Sequence, residues 1–344
     1  MQCRNILVQL GISTAVLVIF LFVQNGYENS IRKSLKFMQI QVNQFQEAIN
    51  SNDKVDQPPK VDIELQKQDK VPNENLPSRS KSNFNPPQIF HEWHNCIMPN
   101  LTNYREENPT NNDWIWKNLP KVMQQCQGIL MNDTIKVDDF RNNDETKRHI
   151  LPLNEDELTT IITLGVGRDT VAEENLLKAL KGPSKFYGAD PIYEINAEKY
   201  NKFGTFFNFG IGAESGMFNL SVLIGRDYAI RLLPTISLVH FVKDILKINF
   251  IDDIWIDNEG AEYNLFPYFL KDGELDRNNI TVCQCNLEAH SPNNEMKRKF
   301  HEFIFQTLND KRYALLLPVS IASHLRIYLV NFGNEKCLKK YAKL

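Results

Sequence analysis

From Thr159 to the C-terminus, short β-branched or aromatic runs alternate with helix-patterned stretches, and this alternation limits the fold more than any other feature. TTIITL (159–164) reads as a strand, 172–180 as a helix, KFYGA (185–189) as a second strand, 192–200 as a short helix and 205–210 as a third strand. MFNLSVL (217–223) reads as a β insertion, and a helix is expected around 237–246. IDDIWI (251–256) is the fourth core strand, ITVCQCNLE (280–288) the fifth, and 294–308 a helix. Strands that alternate with helices bury both faces of a sheet, so the expectation is an α/β fold with a doubly wound, mainly parallel sheet. The last two runs, RYALLL from Arg312 and LRIYLVNF from Leu325, leave no room for a helix between them. They are expected as an antiparallel hairpin at the sheet edge.

Three strand-to-helix junctions carry polar chemistry. Leu164-Gly165-Val166-Gly167-Arg168-Asp169 follows the first strand. Glycines there let a ligand approach the backbone, and a helix start favours anionic groups, although Gly-x-Gly also occurs in plain tight turns. Asp190 closes the second strand, where an acid accepts hydrogen bonds from ribose hydroxyls. IDDIWIDNEGAE ends the fourth strand in Asp257, Glu259 and Glu262 around Gly260. Asp257 directly follows the strand and should project from its tip. Glu259 and Glu262 also fit as first-turn acids facing the dipole of a following helix, whose Leu265, Phe266, Phe269 and Leu270 share one face. Trp255 and Phe266 are expected in the core. A Gly-x-Gly with an acid after the second strand admits either a dinucleotide or S-adenosylmethionine. A dinucleotide needs a pyrophosphate seat, usually at a third Gly. Asp169 stands near that place and would repel the phosphates, which favours the sulfonium cofactor.

Six collinear blocks over residues 150–344 resemble the FkbM-type methyltransferases, and most closely the nematode branch with an N-terminal membrane anchor. They are ITLGVGRDTVAEENLLKAL, KFYGADPIYEIN, FFNFGIGAESG, DDIWIDNEGAEYNLFPYF, ITVCQCNLEAH and DKRYALLL with LRIYLVNF. The resemblance implies a Rossmann-like class I methyltransferase fold with S-adenosylmethionine as cofactor. Its Asp-x-Glu-Gly-x-Glu hallmark falls on Asp257, Glu259, Gly260 and Glu262, its cofactor loop on Gly165 and Gly167, and its ribose acid on Asp190. Class I methyltransferases usually carry an acid two residues before the first Gly and often a third Gly. Thr163 and Asp169 occupy those positions here, which leaves a catalytically inactive binding protein as the competing reading. The implied reaction is methyl transfer to a hydroxyl, an in-line displacement assisted by proton removal. His290, just beyond the fifth strand, is the expected general base, with Glu288 orienting it or serving as base, and Asp257 facing cofactor or acceptor. The competing reading of His290 is a strand cap, and His324 is expected to be structural.

Residues 6–23 are predominantly apolar and span roughly 27 Å as a helix, close to a bilayer core. No small-x-small cleavage site follows, so a single-pass signal-anchor is expected after a short tail (1–5), with a cleaved signal as the alternative. Arg4 lies before the run and Arg32, Lys33 and Lys36 after it, so flanking charge counted alone favours the wrong end for a luminal domain, but large downstream domains translocate largely regardless of it. The downstream bulk is placed in the secretory lumen or outside, in agreement with sequons at Asn100, Asn132, Asn219 and Asn279. Residues 24–87 read as a stem. Its first part, 30–50, is amphipathic, and the remainder is polar and Pro-rich and unable to bury a core. Residues 88–150 read as a small cap holding Trp93, Trp114 and Trp116, and 151–344 as the main domain. Cys96 and Cys126 are the expected disulfide, with Cys283 and Cys285 as buried apolar fillers. His91, His94 and Cys96 lack a second ligand cluster, so no metal is expected. A net charge of −3 without a basic stripe argues against nucleic acid, and the absence of an Asp-x-Asp triplet against a metal-dependent glycosyltransferase. The expected acceptor is a hydroxyl of a glycan or small molecule.

Overall fold

The computed structural model describes residues 84–107, 110–225 and 227–344. The expected anchor at 6–23, the amphipathic helix at 30–50 and the stem as far as residue 83 lie outside the described residues. Among the described residues no helix is long and apolar enough to cross a membrane.

The chain enters through α1 (Gln88–Glu107) and α2 (Asn112–Cys126), then a hairpin of β1 (Asp138–Arg141) and β2 (Thr146–His149). β3 (Thr159–Leu164), α3 (Val171–Ala179), β4 (Ser184–Ala189), α4 (Asn196–Tyr200) and β5 (Thr205–Phe207) follow. A second sheet is then built from β6 (Gly210–Gly212), β7 (Gly216–Ile224) and β8 (Asp227–Ser237). The chain returns through β9 (Phe250–Ile256), β10 (Thr281–Ala289), α5 (Asn294–Asp310), β11 (Tyr313–Ile321), β12 (His324–Asn331) and α6 (Glu335–Tyr341).

The main sheet has the order β11-β12-β10-β9-β3-β4-β5. β5, β4, β3, β9 and β10 are mutually parallel, and β12 runs antiparallel to both of its neighbours. The two-residue period of a strand explains why these runs are apolar throughout. On β3, Ile162 and Leu164 join the core under α5, while Ile161 joins a second core with Ala172 and Leu176 of α3. Trp255 faces that second core and its neighbours Ile254 and Ile256 the first.

Several expectations need correction. The third strand ends at Phe207, and Gly210 opens the second sheet instead. β8 was not foreseen. Pro234 and the lack of alternation hide it, because most of the β7–β8 hairpin is exposed on both faces. The helix expected at 237–246 is one turn, Leu238–His240, that widens into a π-helix at Phe241–Ile245. The stretch after Gly260 is a 3-10 turn and a four-residue helix, Phe266–Phe269, with Pro267 in its first turn. The segment expected as a small cap shares the main core. Phe90 stacks on Phe332 at 5.3 Å, Trp116 meets Phe300 edge-on at 5.1 Å, and Lys297 pairs with Asp113 at 2.6 Å.

Cys96 and Cys126 form a disulfide. Cys283 is no filler, since it bonds Cys337 of α6, and Cys285 alone is a free buried thiol among the described residues. Cys96 is thereby unavailable to a metal, and His94 bonds the Leu308 carbonyl at 3.0 Å.

Two acids in the middle of β9 are wholly buried and act as cross-links. Asp252 accepts from Lys340 Nζ and the Tyr341 hydroxyl, each at 2.6 Å, and from the Thr160 N–H at 2.7 Å. Asp253, on the opposite face, meets His149 Nδ1 and Trp255 Nε1, both at 2.9 Å. Burial pushes the Asp253 carboxyl up against these partners.

Candidate functional site

Because β3, β4, β9 and β10 are parallel, their carboxyl ends share one edge, and the segments after them converge there. They surround a cleft that is open to solvent at its mouth. The β1–β2 hairpin and the β7–β8 hairpin form its other walls.

The glycine loop is shaped by close approach. Gly165 has φ +83°, and a Cβ there would lie 2.0 Å from the Asp257 carbonyl oxygen. No side chain fits between β3 and β9 at that point. Gly167 has φ +60° with nothing within 4 Å of where its Cβ would be, so its backbone faces open space. Asp190 braces this loop. One carboxylate oxygen accepts from Val166 N–H at 2.9 Å and Gly167 N–H at 3.4 Å, the other from Ile192 N–H at 2.7 Å. The Asn196 side chain is a further hydrogen-bond partner of this carboxyl. Burial still raises the Asp190 carboxyl above its ordinary range.

Asp169 turns away from the place of a third glycine. It accepts from Asn143 backbone N–H at 2.9 Å, Asn143 Nδ2 at 2.7 Å and Val171 N–H at 3.1 Å, which ties the β1–β2 turn to α3. Arg168 reaches the opposite wall, donating to the Gly225 and Leu223 carbonyls at 2.6 and 3.3 Å.

His290 and the acids of IDDIWIDNEGAE form one cluster. His290 Nδ1 lies 3.1 Å from Glu262, and Nε2 lies 3.1 Å from Asp257, 3.7 Å from Glu259 and 3.9 Å from Glu288. Glu262 is fully buried, and it also accepts the His290 backbone N–H at 2.7 Å and the Gly260 N–H at 2.8 Å. It supports the turn and anchors the histidine; helix electrostatics is not its main role. Burial alone would lower the imidazole, but the hydrogen bonds and charges of Asp257 and Glu262 raise it to about 11. This favours the imidazolium at neutral pH, a state that weighs against the general-base role expected from the sequence. Glu288 is buried against Arg326 Nε at 2.7 Å. Against the penalty of burial, the His290 hydrogen bond and the charges of Lys147, His290 and Arg326 hold Asp257 below its ordinary value. Glu259 differs. Burial raises its carboxyl, Asp257 and Glu262 add to that, and its side chain stays 27% exposed at the cleft. The ligand atoms of Asp257, Glu259 and His290 lie within 4.8 Å of one another, a spacing that could hold a cation. With both imidazole nitrogens facing carboxylates, the set is satisfied as a proton-bridged cluster.

Sequence reasoning missed Glu145, Lys147, Glu173, Tyr228 and Arg326. Glu145 and Lys147 sit in a stretch without periodicity. Glu173 left a signal, because it falls three residues before Leu176 on the buried face of α3. His324 packs edge-on to His290 at 4.8 Å, so it belongs to the cluster's surroundings.

A family model described as the methyltransferase FkbM domain matches residues 124–315, more than half of the chain. An uncharacterized protein of Caenorhabditis elegans is 25% identical over 256 residues, covering 73% of this chain and 79% of its own. Among solved structures, Aeropyrum pernix fibrillarin with natively bound S-adenosyl-L-methionine aligns with a TM-score of 0.29 and 13% identity, over 57% of this chain and 83% of its own. A methyltransferase from Pyrococcus furiosus aligns with a TM-score of 0.28 and 9% identity, over 53% and 78%. Neither structural likeness is close enough to transfer a residue role.

Proposed function

The chain belongs to the FkbM methyltransferase family, and from that premise we propose that it methylates a hydroxyl oxygen, with Glu259 as the proton acceptor. The cofactor of this chemistry is S-adenosylmethionine, which when bound supplies a sulfonium methyl for in-line displacement. The residues present fit such a group. Gly167 leaves room at the backbone, Asp190 lines the cleft at the end of β4, and the acid-rich rim suits a cation better than a phosphate.

The observation that carries the assignment of the base is the contrast among the carboxylates around His290. Glu262 and Glu288 are buried and engaged, and Asp257 is depressed by its neighbours, whereas Glu259 is raised by burial in spite of its hydrogen bond to the Tyr228 side chain and faces the cleft. A base with raised pKa accepts a proton more readily in the transition state. As the carbon–oxygen bond forms and the carbon–sulfur bond breaks, the hydroxyl proton passes to Glu259. His290 keeps Asp257 charged and holds both Asp257 and Glu262 in place.

Incubating the full chain with methyl-labelled S-adenosylmethionine and candidate hydroxyl acceptors tests this reading. Transferred label should survive mild alkali as an ether, and Glu259→Gln should lower turnover by about 10²–10⁴-fold with little change in cofactor affinity. Alkali-labile label would mean a carboxyl ester and overturn the hydroxyl assignment. Cofactor binding without transfer to any acceptor would favour the inactive binding protein, a reading that the atypical Thr163 keeps open.

The proposal extends to place. Two disulfides fit an oxidising compartment. Asn100, Asn132, Asn219 and Asn279 of the sequons are all exposed, and residues 6–23 read as an anchor. A luminal enzyme acting on a glycan hydroxyl is the reading these support. A glycosidase-sensitive mobility at Asn100 or Asn132 is the expected result, and an unchanged mobility after glycosidase treatment, or a protease-accessible C-terminus in sealed microsomes, would remove this reading.

A further inference from the structure

We propose that Glu173 and Lys147 form the seat for the amino-acid end of the cofactor, Glu173 taking its ammonium and Lys147 its carboxylate. The proposal rests on the methyltransferase reading above and deepens it.

Glu145, Lys147, Thr163 and Glu173 line the cleft together with the glycine loop, and the burial of Lys147, Thr163 and Glu173 makes this its inner end. Glu173 is 1% exposed there. One of its oxygens accepts from the Thr163 hydroxyl at 3.0 Å, and that hydroxyl in turn accepts from the Tyr200 hydroxyl at 3.0 Å. The other oxygen, Oε2, is buried without a hydrogen-bond partner. A buried acceptor left unmet is costly, so such an atom marks the place of a missing donor. A cationic donor is the best match for a carboxyl that burial has pushed up to about 7.

Lys147 supplies the complementary half. It is buried, pairs with Glu145 at 2.6 Å, and lines the same inner end. An ammonium carries three donors, and one ion pair leaves others for a second carboxylate. A zwitterion with its ammonium on Glu173 and its carboxylate on Lys147 adds no net charge to this closed end. The sequence departure at Thr163 also acquires a reason. The acid missing from that position on β3 is supplied from α3, and Thr163 holds it by its hydroxyl.

Charged and titratable groups facing Glu173 are Lys147 and Glu145 on the β1–β2 hairpin and Tyr200 on α4. Lys147 is raised and Tyr200 well raised, so both hold their protons through neutral pH. Binding an ammonium requires Glu173 ionised. Affinity should therefore fall about tenfold from pH 8 to pH 6.

The test is calorimetry on the full chain with two probes. S-adenosylhomocysteine carries both amino-acid groups, and 5′-methylthioadenosine carries neither. The wild type should bind S-adenosylhomocysteine more tightly at pH 8 than at pH 6 and bind methylthioadenosine equally at both. Glu173→Gln should weaken S-adenosylhomocysteine at least 30-fold, abolish its pH slope and leave methylthioadenosine unchanged. Decarboxylated S-adenosylmethionine, which keeps the ammonium alone, should bind the wild type more weakly than S-adenosylmethionine does. The ligand comparisons on the wild type stand even where the variant folds poorly. Equal loss for both probes in Glu173→Gln, or a wild-type preference and slope that do not depend on the amino-acid end, would overturn the proposal while leaving the cofactor reading intact. Binding of neither probe by the wild type would overturn both.

Discussion

At the scale of single residues, His290 shows how a side chain of ordinary identity acquires an unusual state. Its ring lies between Asp257 and Glu262, which both follow β9, while His290 itself follows the neighbouring parallel strand β10, 28 residues beyond Glu262. Position beyond a strand marked His290 as chemically interesting, but the number of carboxylates around it decides that it is an imidazolium. The pH consequence has a definite sign. The folded pKa of about 11 lies above the unfolded value near 6.5, so the contribution to stability is fully present below about pH 6.5. It is lost as pH rises through about 11. His290→Gln removes one partner of a buried charged set, a change that typically costs about 3–5 kcal/mol. Denaturant midpoints should show that deficit at pH 6 and a shrinking one towards pH 10. A deficit that grows with pH would mean that the imidazole is neutral in the native protein.

At the scale of elements, α6 is fastened at several points to strands it could not be matched with by pattern. Cys337 bonds Cys283 of β10, Lys340 and Tyr341 reach Asp252 of β9, and Lys343 N–H donates to the Thr134 carbonyl at 2.8 Å. The sequence shows Cys283 and Cys285 on one strand two residues apart, which says that they share a face but not which of them meets a third cysteine. Register decides that. The Cys283–Cys337 bond closes a loop with a sequence separation of 54, worth about 4 kcal/mol in the chain-entropy view. Cys337→Ser should therefore lower the guanidinium midpoint under oxidising conditions and match the wild type once both are reduced. A midpoint unchanged without reductant would show that the bond adds nothing in solution. The β7–β8 hairpin makes the opposite point about legibility. One strand was visible as an insertion, and its partner was not, because an exposed hairpin lacks the apolar pattern that burial imposes.

At the scale of the whole molecule, the core extends beyond the stretch that matches the family. That match begins at residue 124, yet Phe90, Trp93, Ile97, Leu101, Ile115, Leu119 and Met123 all sit in the main core with no exposed surface. At about 1.5–3 kcal/mol for each buried apolar side chain, their loss is as large as the whole stability of an average domain, about 5–15 kcal/mol. A chain from Lys81 to Leu344 should unfold in one cooperative transition, whereas a chain beginning at residue 124 should be insoluble or molten. Cooperative melting of the shorter chain would show that α1 and α2 are dispensable. By itself, the sequence determined the alternation of strands and helices, the antiparallel final pair and the glycine and acid junctions. Each of these depends on periodicity or spacing within a few turns of chain. Only the tertiary structure decided that Asp257, Glu259 and Glu262 meet His290, that Cys337 takes Cys283, and that Glu173 stands in the cleft where Thr163 replaces an acid. Those are contacts between residues far apart in the chain, set by strand order and register, and no local pattern encodes which distant side chain will fill the facing space.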